Sequence, residues 1–132
     1  MSDKLYAKLR EFHAMTQHPN WDLRHAMPIV SQLWSDLWET CVTAHDLGFD
    51  DPWVTPQSNG SVELAWNLPR GRVISVLFFY DSISYPWTIY NKDRETIDSG
   101  SAQYICGLFD KLFELFPVKQ KEYLEKNKEN EQ

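Results

Sequence analysis

The 132-residue sequence contains little cysteine, no long apolar run and, over one third of its length, no positive charge. Cys41 and Cys106 lie far apart, each within an apolar helical pattern, which predicts two reduced core thiols and leaves one disulfide as the lesser alternative. No apolar stretch approaches the ~18 residues of a membrane span, and the first residues are charged rather than apolar. These absences predict a soluble, cytoplasmic protein that does not bind a membrane.

Lys and Arg are absent between His25 and Pro69. The same stretch holds six carboxylates, those of Asp36, Glu39, Asp46, Asp50, Asp51 and Glu63. The charges of the remaining residues cancel, so this third carries the whole net charge of −6. Such a field repels nucleic acid and attracts a basic protein surface. The stretch is therefore either a partner-facing surface or an ordinary solvated face.

Catalytic motifs are also absent. The sequence has no glycine-rich phosphate loop, no G-x-S-x-G elbow, no H-E-x-x-H and no paired C-x-x-C. Cys41 and His45 have the i, i+4 spacing of a metal or thiolate–imidazole pair, but Cys41 lies in an apolar row and its helix is acidic. Asp46, Asp50 and Asp51 lack the oxygen spacing of a calcium loop. We expect no catalytic residue, no cofactor and no metal site.

Apolar residues at every second position between Gly60 and Tyr90 predict an antiparallel meander. Val62, Leu64 and Trp66 point to one face. In the next strand either Val73, Leu77 and Phe79 or Ile74, Val76 and Phe78 do so, and Tyr85, Trp87 and Ile89 follow in the third. The second strand is apolar on both faces and should lie in the middle of the sheet.

Three helices complete the predicted fold. The first is capped by Ser2 or Asp3 and runs to about Met15. The second has Pro28 in its first turn and ends at Gly48, with Ile29, Leu33, Leu37, Cys41 and Ala44 in one row. Ser99-Gly100-Ser101 should end the sheet and cap the third helix, Ala102 to Phe116, whose stripe comprises Ile105, Leu108, Phe109, Leu112 and Phe116.

The predicted fold class is thus α+β, with three to four antiparallel strands in the order α-α-β-β-β-(β)-α. Trp53-Val54-Thr55 is predicted as a short edge segment and Glu95 to Asp98 as a final short strand. Residues 1–117 form one domain, with the second and third helices on one face of the sheet. Residues 118–132 are a charged helical extension or a disordered tail.

The segment from Pro52 to Trp66, PWVTPQSNGSVELAW, resembles a pattern in small bacterial and phage proteins of unassigned function: Pro, an apolar residue, Pro, a turn ending in Gly, and an alternating strand ending in Trp. The resemblance covers residues ~27 to ~110. It implies a small α+β fold and a bacterial or phage origin, and it supplies no active-site residues. Ala65 and Asn67 depart from the more polar strand end common in that group.

From these patterns we expect a non-catalytic inhibitor of the antitoxin, immunity or anti-defence kind, which occupies a basic surface of a larger protein. The predicted partner-binding residues are Trp34, Asp36, Trp38, Glu39, Asp46, Asp50 and Asp51. Trp34 and Trp38 are either core residues or interface anchors. Direct nucleic-acid binding is not expected. The alternatives are a small enzyme or ligand-binding module with a helix–sheet cleft, and a homodimeric structural protein.

Overall fold

A computed structural model describes residues 1–116 and 124–126. Its helices are α1 (Asp3–Met15), α2 (Ser31–Asp46) and α3 (Tyr104–Leu115). Its strands are β1 (Trp53–Pro56), β2 (Val62–Asn67), β3 (Val73–Phe78), β4 (Ser84–Tyr90) and β5 (Thr96–Gln103), and a short 3₁₀ turn lies at Pro69–Gly71. The predicted α+β class with an antiparallel meander is confirmed. The sheet has five strands rather than three to four, because the predicted edge segment Trp53-Val54-Thr55 pairs fully as β1. The tail prediction for 118–132 falls almost entirely outside the described residues.

The strands form one antiparallel sheet in the order β1-β2-β3-β4-β5. The central position of β3 confirms the prediction from its apolar residues. Its register pairs Leu64 with Val76 and Val76 with Trp87, so these side chains share the inner face. Ile74, Val76 and Phe78 are buried there, which decides between the two predicted sets.

One core lies between the inner face of the sheet and the helices. The predicted row of α2 is buried throughout, together with Leu108, Phe109 and Leu112 of α3. Leu5 and Leu9 of α1 join the same cluster. Ile105, predicted to belong to the α3 stripe, is instead 38% exposed.

Helix α2 begins later than predicted, at Ser31 rather than in the turn after Pro28. The backbone N–H of Met27 donates to the carbonyl of Ser58 (2.8 Å), and that of Ile29 donates to the carbonyl of Thr16 (2.9 Å). These long-range bonds hold the segment extended, so the helical preference of Pro28 at a first turn is overridden.

Strand β5 corrects two predictions. Ser99-Gly100-Ser101 does not end the sheet but pairs with β4, where Gly100 lies opposite Trp87. A Cβ atom at Gly100 would lie 2.7 Å from the Trp87 ring, so the indole packs directly on the strand backbone. The ammonium of Lys111 covers the ring from α3, 4.4 Å from its centroid. Helix α3 therefore starts at Tyr104 rather than at Ala102.

The two cysteines differ in environment. Both are free, and Cys41 is buried as predicted, whereas Cys106 is exposed on α3. The expectation that Cys106 is a core residue is wrong, because the apolar face of α3 lies on the side of Leu108 and Leu112.

Candidate protein-binding site

The acidic residues of α2 lie on its solvent side. Asp36, Glu39 and Asp46 are exposed. Glu39 and Asp46 are seven residues apart, nearly two helical turns, and so share one side of the helix. Among residues 1–116 and 124–126 the ion pair is Lys111–Glu114, so none of the three carboxylates faces a cation within ion-pair distance.

Trp34 belongs to the core. It is 3% exposed, and its indole N–H donates to the hydroxyl of Thr16 at 2.9 Å. That hydroxyl in turn donates to the carbonyl of Phe12 at 2.7 Å, so the two hydrogen bonds connect Trp34 of α2 to the end of α1. Of the two alternatives for this tryptophan, the structure shows the core position.

Trp38 has a different position, at the edge of the α1–α2 contact. It is half-buried, and its ring meets the Tyr6 ring edge-on at 4.8 Å. Arg10 lies over the other ring of this pair, 5.6 Å from the centroid of Tyr6. One side of Trp38 therefore remains open to a contacting molecule.

A groove runs between α1 and α2 beside Trp38. It encloses about 360 Å³, and its walls come from Leu9, Arg10 and His13 of α1 and from Trp34, Ser35, Trp38 and Glu39 of α2. The imidazole of His13 is within 3.1 Å of the Ser31 hydroxyl, and it stacks near Trp34. The α1 wall of this groove was not predicted from the sequence. The i, i+4, i+7 spacing of Tyr6, Arg10 and His13 places them on one helix side and was the available signal.

Asp36 lies on the side of α2 that is opposite to Trp38. Residues two apart on a helix point to nearly opposite sides, so Asp36 and Trp38 do not form one patch. The carboxylate accepts a hydrogen bond from Gln32 at 3.0 Å. Burial, and secondarily the charge of Asp36, raise the pKa of Tyr85 on β4.

Asp50 and Asp51 follow α2 in an exposed loop. The backbone N–H of Ser2 donates to Asp51 at 3.1 Å, and hydrogen bonding from Ser2 lowers the pKa of this carboxyl. In the part of the chain that the structure describes, no three His, Cys, Asp or Glu side chains are grouped so that they could hold a metal ion. Asp50 and Asp51 lie beyond the C-terminal end of α2, so they are not part of the acidic side of that helix.

Cys41 and His45 do not form a reactive pair. Cys41 is 1% exposed, whereas His45 is exposed to solvent. Burial, with a smaller effect of Asp51, raises the pKa of the Cys41 thiol to about 12. A nucleophilic thiol needs a lowered pKa, so Cys41 has the wrong environment for catalysis.

The chain matches no protein-family model, no curated protein and no solved structure. The resemblance of Pro52–Trp66 to small bacterial and phage proteins therefore stays a prediction. Within the described helices, none is long and apolar enough to cross a membrane.

Proposed function

We propose that the protein is a non-catalytic inhibitor of the antitoxin, immunity or anti-defence kind, which acts in the cytoplasm by occupying a basic surface of a larger protein. The observation that supports this proposal is the outer side of α2, where Asp36, Glu39 and Asp46 are exposed without cationic partners in the described residues. Unpaired carboxylates on one rigid helix create a field that accelerates encounter with a basic partner.

The contact itself centres on the groove beside Trp38. Glu39 is both part of the acidic side and part of the groove wall, so it joins the charged surface to the aromatic one. Half-buried aromatics next to a groove are typical of residues that contribute most to binding energy. In this arrangement the carboxylates set the association rate, and Trp38 sets the dissociation rate.

The test compares binding kinetics of the wild type and of a charge-reversal variant with the captured partner. Asp36→Lys, Glu39→Lys and Asp46→Lys together should slow association roughly tenfold or more at low salt and weaken its salt dependence. Trp38→Ala should instead speed dissociation roughly tenfold or more.

The matched control carries the same charge change elsewhere. Glu11, Asp110 and Glu125 are exposed carboxylates on other parts of the chain, and Glu11 lies on the side of α1 away from the groove. Reversing these three to Lys should leave most of the association rate intact. Equal rates for the two triple variants, or a captured partner with no basic surface, would refute the proposed mechanism.

A further inference from the structure

The outer face of the sheet, opposite the helices, contains a depression of about 440 Å³. Its floor is made by the small side chains of Ala65 and Ser75, which are paired neighbours on β2 and β3. Trp53, Val73 and Tyr90 stand around this floor. We call this depression the outer trough. Its size falls within the range of small-molecule sites.

Two aromatic side chains mark the ends of the outer trough. Trp53 is on edge strand β1 and is 55% exposed, and half-buried Tyr90 is on β4. The two strands are three strand spacings apart, roughly 14 Å. A large side chain in place of Ala65 or Ser75 would fill the space between them, so the aromatic walls and the small floor together create room for a flat group.

Two turns that contain cations lie at the Tyr90 end of the outer trough. The β2–β3 and β4–β5 turns lie side by side there, with a Cβ at Gly71 only 3.3 Å from the Cβ of Lys92. Among the residues that line the outer trough, the charged ones are Lys92, Arg94 and Glu63, which gives a net charge of +1.

Lys92 and Arg94 are available to a ligand, because neither forms an ion pair with any residue in 1–116 or 124–126. Arg72, on the neighbouring turn, instead donates to the carbonyl of Pro69 at 3.1 Å. Lys92 and Arg94 line the outer trough directly. The protein as a whole is acidic, so this local positive charge contrasts with its surroundings.

We propose that the outer trough binds a small planar ligand that carries one anionic group, either a phosphate or a carboxylate. The flat ring lies over Ala65 and Ser75 between the two aromatic walls, and the anion contacts Lys92 and Arg94. Charge-assisted hydrogen bonds to these cations and stacking on Trp53 supply the affinity.

A single small anion fits this site better than a nucleic-acid strand. The two cations that line the outer trough, Lys92 and Arg94, can bind one anionic group, whereas a strand needs several phosphate contacts to bind. Glu63 also lines the outer trough and repels a second phosphate. The site is distinct from the α1–α2 groove, which lies on the helical side of the molecule, so the two proposals stand or fall separately.

The experiment titrates the ¹⁵N-labelled full chain with adenosine 5′-monophosphate and, separately, with 2-naphthoate. Chemical-shift changes are expected at Trp53, Ala65, Ser75 and Tyr90. Adenosine, which lacks the anion, should bind roughly tenfold more weakly than its monophosphate. Binding of only one compound supports a ligand with that combination of ring and anion, and binding of both supports the shared chemistry.

Substitutions test the cationic part and the aromatic part of the site separately. Lys92→Gln with Arg94→Gln should weaken binding roughly tenfold, and Trp53→Ala should weaken it roughly fivefold or more. The controls are Arg24→Gln with Lys126→Gln, two exposed cations elsewhere, and Phe79→Ala, an exposed aromatic outside the outer trough. Neither control should change affinity.

Three results would overturn the proposal. The first is no binding of either compound at millimolar concentration. The second is binding whose shift changes lie away from the outer trough or whose affinity the site variants leave unchanged. The third is tighter binding of single-stranded oligothymidylate than of adenosine 5′-monophosphate at the same residues, which would assign the face to nucleic acid instead.

Discussion

Replacing Thr16 with Val tests how α1 and α2 are held together. Thr16 is fully buried, and its hydroxyl both donates to the carbonyl of Phe12 (2.7 Å) and accepts the indole N–H of Trp34 (2.9 Å). Valine has nearly the same shape but no hydroxyl, so the substitution leaves the packing and removes both hydrogen bonds.

The loss of stability comes mainly from the indole N–H of Trp34. The carbonyl of Phe12 still accepts the backbone N–H of Thr16 at 3.0 Å, so it keeps a partner. The indole N–H is left without one in a site that is 3% exposed. An unsatisfied buried donor costs about 1–3 kcal/mol, so Thr16→Val should lower the free energy of unfolding by that amount.

A double-mutant cycle separates this cost from lost packing. Trp34→Phe removes the N–H, so it should cost less in the Thr16→Val background than in the wild type, with a coupling of about 1–2 kcal/mol. Urea unfolding gives each free energy from the shift in midpoint at constant slope. Thr40→Val is the control, because its hydroxyl donates only to the carbonyl of Asp36 in its own helix. It should change stability by less than about 0.5 kcal/mol.

Two results would contradict this reasoning. One is a Thr16→Val variant as stable as the wild type. The other is a double variant whose cost is the sum of the single costs within about 0.5 kcal/mol, because additivity means that the two side chains do not interact.

Two further predictions concern packing and pH. Gly100→Ala should lower the free energy of unfolding by more than about 1 kcal/mol, because the new Cβ would lie 2.7 Å from the Trp87 ring. Gly107→Ala in α3 meets nothing closer than 3.9 Å and should raise the free energy of unfolding by up to about 1 kcal/mol. Equal melting temperatures of the two variants would contradict this prediction. Burial keeps the Cys41 thiol protonated in the folded state up to about pH 12. The unfolded chain releases this proton from about pH 9, so stability should fall with rising pH in that window by up to ~1.4 kcal/mol per unit. Cys41→Ala should reduce the slope measured by urea unfolding, Cys106→Ala should not, and identical slopes would show that Cys41 is accessible.

The sheet could be predicted well because its signal is local. Alternation of apolar residues requires no knowledge of the rest of the chain, and β2, β3 and β4 lie where it places them. The inner face of β3 could not be predicted, since both of its faces are apolar and only the neighbouring strands decide between them.

The start of α2 and the extent of β5 were predicted wrongly because both are set by tertiary contacts. The delayed start of α2 depends on hydrogen bonds from Met27 and Ile29 to residues far away in sequence. The extension of β5 through Gly100 depends on the close approach of Trp87. Glycine weakens the interior of a strand, and Pro28 is pre-organised for the first turn of a helix, so local preference predicts the opposite in both places.

A candidate site could be predicted where its residues are close in sequence, and could not where only the fold brings them together. The acidic side of α2 was predictable because its residues are close in sequence and free of cations. The α1–α2 groove was not, because half of its wall belongs to another helix. The outer trough was also missed, since Trp53, Ala65, Ser75 and Tyr90 are adjacent only after the strands have paired.

The meander also has a consequence for how the chain reaches this structure. Each strand pairs with its neighbour in sequence, and each of the four connections between strands is five residues long. Short loops cost little entropy to close, and hairpins form within about 1–10 μs. Successive hairpins can therefore build the sheet from local contacts, as in fast-folding domains of low contact order. The slow step is then the docking of α1, α2 and the segment between them, because the hydrogen bonds from Met27 to Ser58 and from Trp34 to Thr16 join residues that are distant in sequence.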